Sequence, residues 1–205
     1  MALFDQKGCV SPHVLFVETG GGVPPEEWAA LLAQELESLE EELPSGRISL
    51  EAGAALQQLR GEADLQASSG SGAVHHGGER ASWTVLFLPG QGPEPSCLNR
   101  VVRVIPVDRL QEGVQALSGW GAFLQTVGVA GLGSAGPGIL EGLARLGVSR
   151  ITSLENTPWP RPWWHHDGGG PLRDLVRWTD LEAGEALGTS PDFRNGALSS
   201  DIGGG

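Results

Sequence analysis

One thiol stands out among the residues able to do covalent chemistry. Cys9 lies in DQKGCVSPHVLFVE (residues 5–18), directly after Gly8 and just before an apolar run that predicts a buried strand. A Gly–Cys pair in a tight loop at that place holds a thiol at the edge of a sheet. Gly8, lacking a Cβ, allows a reactant to approach the backbone closely. The N–H of Cys9 can then face a carbonyl under attack and hold its developing oxyanion. Gln6, Lys7 and Ser11 make the surroundings polar, Gln6 as a pocket residue and Lys7 as a cation of the kind that lowers a thiol pKa. The residues alone leave the opposite reading equally open: a lone cysteine is also a small buried hydrophobe.

Other groups carry weaker chemistry. Trp163, Trp164, His165, His166 and Asp167 form a compact aromatic and polar stretch. It reads as a loop anchored by its tryptophans, with Asp167 capping a following helix. Trp163, His166 and Asp167 are also placed to form the lip of a pocket, the histidine being a proton-transfer group. Gln125 and Thr126, at the start of a predicted strand, can orient a cofactor or substrate. His75 and His76 sit in a Gly/Ser-rich stretch with no third ligand, so no metal site is expected. Cys97, in a Pro-rich loop, reads as incidental.

The elements that must position these groups alternate. Strands are expected at residues 13–18, 83–88, 101–107, 126–131 and 150–154, and they are uniformly apolar, as suits central strands covered on both faces. A helix opens at Pro24 and Pro25, with Trp28, Leu31, Leu32, Leu36 and Leu39 at helical spacing. Ser49 caps a second helix carrying Leu50, Ala54 and residues 56–59. Asp108 caps a third, with Leu110, Val114 and Leu117 buried. Ser134 begins a fourth, stopped by Gly147, and a fifth is expected over 171–181. This rhythm predicts an α/β fold, a mostly parallel sheet flanked by helices. Residues 67–78 (ASSGSGAVHHGG) break it as a flexible loop, and the tail after Glu182 is too polar to build a core.

Composition bounds the class. The chain has 205 residues, 13 Lys+Arg against 25 Asp+Glu and a net charge of −12, which argues against nucleic acid and anionic membranes as partners. Two cysteines are no disulfide framework. No stretch approaches the roughly 18 apolar residues of a membrane span, and the first residues lack the apolar core of a signal peptide. A soluble, cytoplasmic protein is the expectation.

Four segments, in order, resemble one family. DQKGCVSPHVLFVE is similar to the nucleophile segment of the acyl-CoA reductases, a branch of the aldehyde dehydrogenase superfamily whose best-known member makes fatty aldehyde for bacterial bioluminescence. NRVVRVIPVDRLQEGVQAL resembles the superfamily's strand–helix unit after the segment that contacts the nicotinamide ribose. FLQTVGVAG resembles the start of the next strand. GVSRITSLENTPWPRPWWHHDGGGPLRDLVRWTDLE resembles the C-terminal signature of an aromatic-rich loop, Asp-Gly and a Leu/Val/Arg/Trp helix. The likeness spans about residues 3–182. It implies an aldehyde dehydrogenase-like catalytic domain over 1–182 and an extended or disordered tail over 183–205.

By position, the resemblance makes Cys9 the nucleophile. It would capture the acyl group of a fatty acyl-CoA as a thioester, and hydride from NADPH (or NADH) would release the aldehyde. Gln125 and Thr126 become cofactor-contacting candidates, and a homodimer formed through catalytic domains is implied. There are departures. The family's dinucleotide-binding domain precedes the cysteine, whereas only eight residues do so here, so the cofactor is expected to be held mainly by a domain outside this sequence. Ser96 stands where aldehyde dehydrogenases usually carry a cofactor-contacting Glu. GLGSAG (131–136) has a dinucleotide glycine spacing but reads as packing at the start of a helix. The rival readings are a non-acylating aldehyde dehydrogenase, which would need a general base near Cys9, and a non-catalytic interaction subunit.

Overall fold

The computed structural model describes residues 1–77, 82–170, 175–177 and 179. The helix expected over 171–181, apart from residues 175–177 and 179, and the tail expected over 183–205 lie outside the described residues. All named elements belong to the compact unit Met1–Gly170. Their order is β1 (Val14–Glu18), α1 (Pro25–Glu42), α2 (Leu50–Gln66), β2 (Ala73–His76), β3 (Thr84–Phe87), β4 (Val101–Val107), α3 (Leu110–Ala116), β5 (Thr126–Val129), α4 (Gly136–Arg145) and β6 (Arg150–Ser153). The main sheet has the order β1-β4-β3-β2, and β5-β6 form a second, two-stranded sheet. Pairs β1–β4, β3–β4 and β5–β6 are parallel and β2–β3 is antiparallel. This is the expected α/β fold with a mostly parallel sheet flanked by helices.

Of the five apolar runs expected to be central strands, two are central, β3 and β4. Strand β1 lies at an edge of the main sheet, and among the described residues β5 and β6 pair only with each other, so all three are only partly buried. Every residue of β3 is buried, as are all of β4 except Pro106. Their side chains alternate between two helical layers. Val85, Phe87, Val102 and Val104 pack on one face against Ala29, Ala33 and Leu36 of α1. Leu86, Leu88 and Val101 pack on the other against Leu56 and Ala63 of α2. Helix α1 starts at Pro25, where a missing N–H leaves no bond unmade, and Glu26 and Glu27 complement its dipole. Ser49 caps α2 as expected, its Oγ accepting the Ala52 N–H at 3.1 Å. Gly147, at φ 88°, closes α4 with its N–H donating to the Ala144 carbonyl.

Three expectations are corrected. Residues 67–78 are not one flexible loop: AVHH forms β2, paired with β3 from Ala73↔Phe87 to His76↔Thr84. The flanking glycines hid a short strand whose stability comes from the neighbouring edge and from burying Ala73 and Val74. Leu50 and Ala54 do not face the core of α2. Leu56, Arg60 and Ala63 form its buried stripe, and Leu50, which lies off it, is 93% exposed. Asp108 does not cap α3. Its carboxylate accepts from the Thr19 hydroxyl, while Glu112 reaches back to the Asp108 N–H at 3.1 Å, and Arg109 occupies the cap position without a side-chain bond.

Candidate functional site

Cys9 occupies the second position of a turn, Gly8 to Ser11, closed by a Ser11 N–H to Gly8 carbonyl bond of 3.0 Å. Its thiol is exposed, so the buried-hydrophobe reading fails on geometry. Among the described residues its own N–H makes no hydrogen bond. A Cβ on Gly8 would meet Phe4 and Ser11 only at ordinary contact distances, 3.5 Å and beyond, so Gly8 is demanded neither by packing nor by a left-handed backbone.

The base of this loop is tied to the loop that leads into β4. Gln6 is buried, and its amide Nε2 donates to the carbonyls of Pro12 (2.7 Å) and Val101 (2.5 Å). Its Oε1 accepts from the Ser96 hydroxyl and the Val101 N–H, both at 2.9 Å. His13 Nδ1 accepts from the Ser96 N–H at 3.0 Å, which leaves the ring hydrogen on Nε2. Burial pushes the His13 pKa below its ordinary value, keeping the ring neutral. Ser96, expected from the resemblance at a cofactor-contacting position, spends its hydroxyl on Gln6 and on the Leu98 N–H.

A buried charge node completes the tie. Arg100, 2% exposed, holds Asp5 Oδ1 at 2.8 Å, Glu40 Oε2 at 2.9 Å and the Leu43 carbonyl at 3.0 Å. The Asp5 carbonyl accepts from the Asn99 N–H. Leu98, Asn99 and Arg100 are three successive non-glycine residues with positive φ (65°, 56° and 60°). Each such residue costs about 1–2 kcal/mol, so the ion pairs and the Asp5 bond hold a strained passage in place. Asp5, His13, Arg100 and the clamp geometry of Gln6 were not legible in the sequence. Their proximity to Cys9 in DQKGCVSPH was the signal for the first two; nothing local marked Arg100.

Cys97 differs from Cys9. It is half-buried against the α2-side core, and burial pushes its thiol pKa up, against an opposing pull from Arg103 and Arg60. Of the two thiols, Cys9 is the one open to a reactant.

The remaining candidates gather elsewhere. Gln125 Nε2 donates to Asp167 Oδ1 at 2.8 Å and lies 3.5 Å from His166 Nε2. His166 Nδ1 sits 2.9 Å from Asp167 Oδ2, and the Trp164 ring meets the His166 ring edge-on at 4.9 Å. Two oxygens in this region, Gln125 Oε1 and Thr126 Oγ1, are buried with no partner among the described residues. Trp163 does not join the cluster; it is 68% exposed, with Arg161 over its ring. Among the described residues no hydrogen bond or ion pair joins this cluster to the Cys9 loop, and no three metal-ligating side chains converge. The GLGSAG turn joins β5 to α4. Gly131 and Gly133 have positive φ, so backbone shape accounts for those two, while a Cβ on buried Gly136 would meet Leu132 only at ordinary contact distance.

Among the described residues, no helix is long and apolar enough to cross a membrane. No curated protein matches the chain significantly. A family model described as acyl-CoA reductase (LuxC) matches residues 1–178. That match covers most of the chain and includes the Cys9 segment, both sheets and the Trp163–Asp167 loop: the chain belongs to the acyl-CoA reductase (LuxC) family.

Proposed function

We propose that the chain carries the acyl-transfer chemistry of its family on Cys9. The exposure of that thiol at the tip of a loop whose base is pinned is the observation that carries the reading. The Cys9 thiol loses its proton to solvent, and the thiolate adds to the thioester carbonyl of a fatty acyl-CoA. The unbonded Cys9 N–H is a donor for the resulting oxyanion. Collapse of the tetrahedral adduct breaks the carbon–sulfur bond to CoA and leaves the acyl group on Cys9 Sγ, which splits one difficult exchange into two easier steps.

The family implies a nicotinamide cofactor. Among the described residues Gln125 Oε1 and Thr126 Oγ1 have no hydrogen-bond partner, a donor–acceptor set that fits a carboxamide or ribose hydroxyl. Gln125 and Thr126 would hold it, with Asp167 and His166 fixing the Gln125 amide from the other side. When bound, NADPH supplies the hydride that releases the acyl group as aldehyde and returns the Cys9 thiolate.

The test is intact mass of the chain after incubation with tetradecanoyl-CoA, followed by peptide mapping. A hydroxylamine-sensitive acyl adduct on Cys9 and not on Cys97 is the expected result. Folded protein with a titratable Cys9 and no adduct overturns the reading and favours a non-catalytic interaction role.

A further inference from the structure

The amide of Gln6 has no capacity left for a ligand: both N–H groups and both lone-pair positions of its oxygen are engaged by Pro12, Val101 and Ser96. Its side chain is 1% exposed. Two of its four bonds go to the N–H and carbonyl of one residue, Val101, at the start of β4. It therefore pairs with β4 as a stretch of backbone would, below the point where β1 takes over with Val14 opposite Arg103. A third bond closes on Pro12, so one amide grips both ends of the loop that carries Cys9. The amide cannot flip, because a flip would set its oxygen against two carbonyls.

We infer that Gln6 is the positioning residue of the nucleophile: it sets the height and direction of Cys9 above the sheet by locking the loop to β4 and, through Ser96, to the strained Leu98–Asn99–Arg100 passage. The inference rests on Cys9 as the acylated residue. Gln6 touches no substrate, and its effect falls on the rate at which bound acyl-CoA reacts.

The test follows Cys9 acylation by tetradecanoyl-CoA in the full chain, comparing native protein with Gln6→Met and with Ser96→Ala, which removes one of the four amide bonds. For Gln6→Met the saturating acylation rate should fall about 10- to 100-fold, as expected for an ångström-scale misplacement, while the half-saturating acyl-CoA concentration stays within about threefold. Ser96→Ala should lose rate in the same direction by a smaller factor. Alkylation of Cys9 by iodoacetamide, which needs no particular direction of approach, should be nearly unchanged. Alkylation of half-buried Cys97 reports general loosening and should also hold steady; if Gln6→Met fails this control, Ser96→Ala decides. Native acylation rates in the folded variants overturn the inference, as does a loss confined to the half-saturating concentration. Absence of any Cys9 adduct in the native chain would instead sink the nucleophile assignment itself.

Discussion

Replacing Arg100 by Met keeps most of the side-chain length and removes the charge. Arg100 is 2% exposed, and its partners Asp5 and Glu40 are 20% and 23% exposed. The substitution therefore strands two carboxylates that have only partial access to water, and it leaves the Leu43 carbonyl without its donor. Breaking a buried ion pair by deleting one partner costs about 3–5 kcal/mol. The partial hydration of the carboxylates pulls toward the lower end, and the strained backbone at φ 60° pulls toward the upper, since the bonds that hold it are gone. At roughly 2–4 °C per kcal/mol for a chain of this size, the melting temperature should drop by roughly 6–20 °C. Urea unfolding followed by far-ultraviolet circular dichroism at neutral pH measures the loss directly, with an unchanged slope showing that the same surface is exposed. Asp5→Asn, which leaves Arg100 with Glu40 and Leu43, should cost less, about 1–2 kcal/mol. A loss below about 1 kcal/mol for Arg100→Met would refute the reasoning, because a buried charge with two partners cannot be removed so cheaply.

Other outcomes follow from the same structure. Because burial lowers the His13 pKa, the unfolded chain binds a proton that the folded chain refuses as pH falls below the ordinary histidine value. The stability from neutral His13 is present above that value and is lost as pH falls toward the folded pKa. His13→Asn, whose Oδ1 can replace Nδ1 as acceptor for Ser96, should flatten the stability difference between about pH 7.5 and 5.5; an equal slope in both proteins would show that His13 is not its source. Gly113→Ala places a Cβ 2.9 Å from the Phe16 ring. It should destabilise by about 1–3 kcal/mol in a thermal melt despite the better helix propensity of alanine. Leu56→Ala should cost about 2–5 kcal/mol and the exposed Leu50→Ala within about 0.5 kcal/mol. Comparable losses would mean that α2 buries the face expected from sequence rather than the one observed.

Elements whose stabilising interactions are local or repetitive were legible from the residues. The valine- and isoleucine-rich run at residues 101–107, interrupted only by Arg103 and Pro106, suits a covered strand, and it is β4, Val101–Val107. The Ser49 cap, the proline start of α1 and the Gly147 stop each depend on atoms within a few positions of one another. The thiol at Cys9 and the family of the chain were carried by one contiguous segment and three others in order. What the tertiary structure decided involves partners far apart in the chain. Strand β2 exists because β3 offers an edge, which nothing in ASSGSGAVHHGG announces. Gln6 was a plausible pocket residue by its position and type; its meeting with Val101, 95 residues away, makes it a buried clamp. Arg100 joins Asp5 and Glu40 across 95 and 60 residues, and Gln125 meets Asp167 across 42. Hydrophobic periodicity reports which face of an element is buried, but it carries no information about which polar groups will meet once those faces are packed. A buried polar group must find its partner wherever the fold brings one within about 3 Å, and for Cys9 that requirement shapes the loop that presents it.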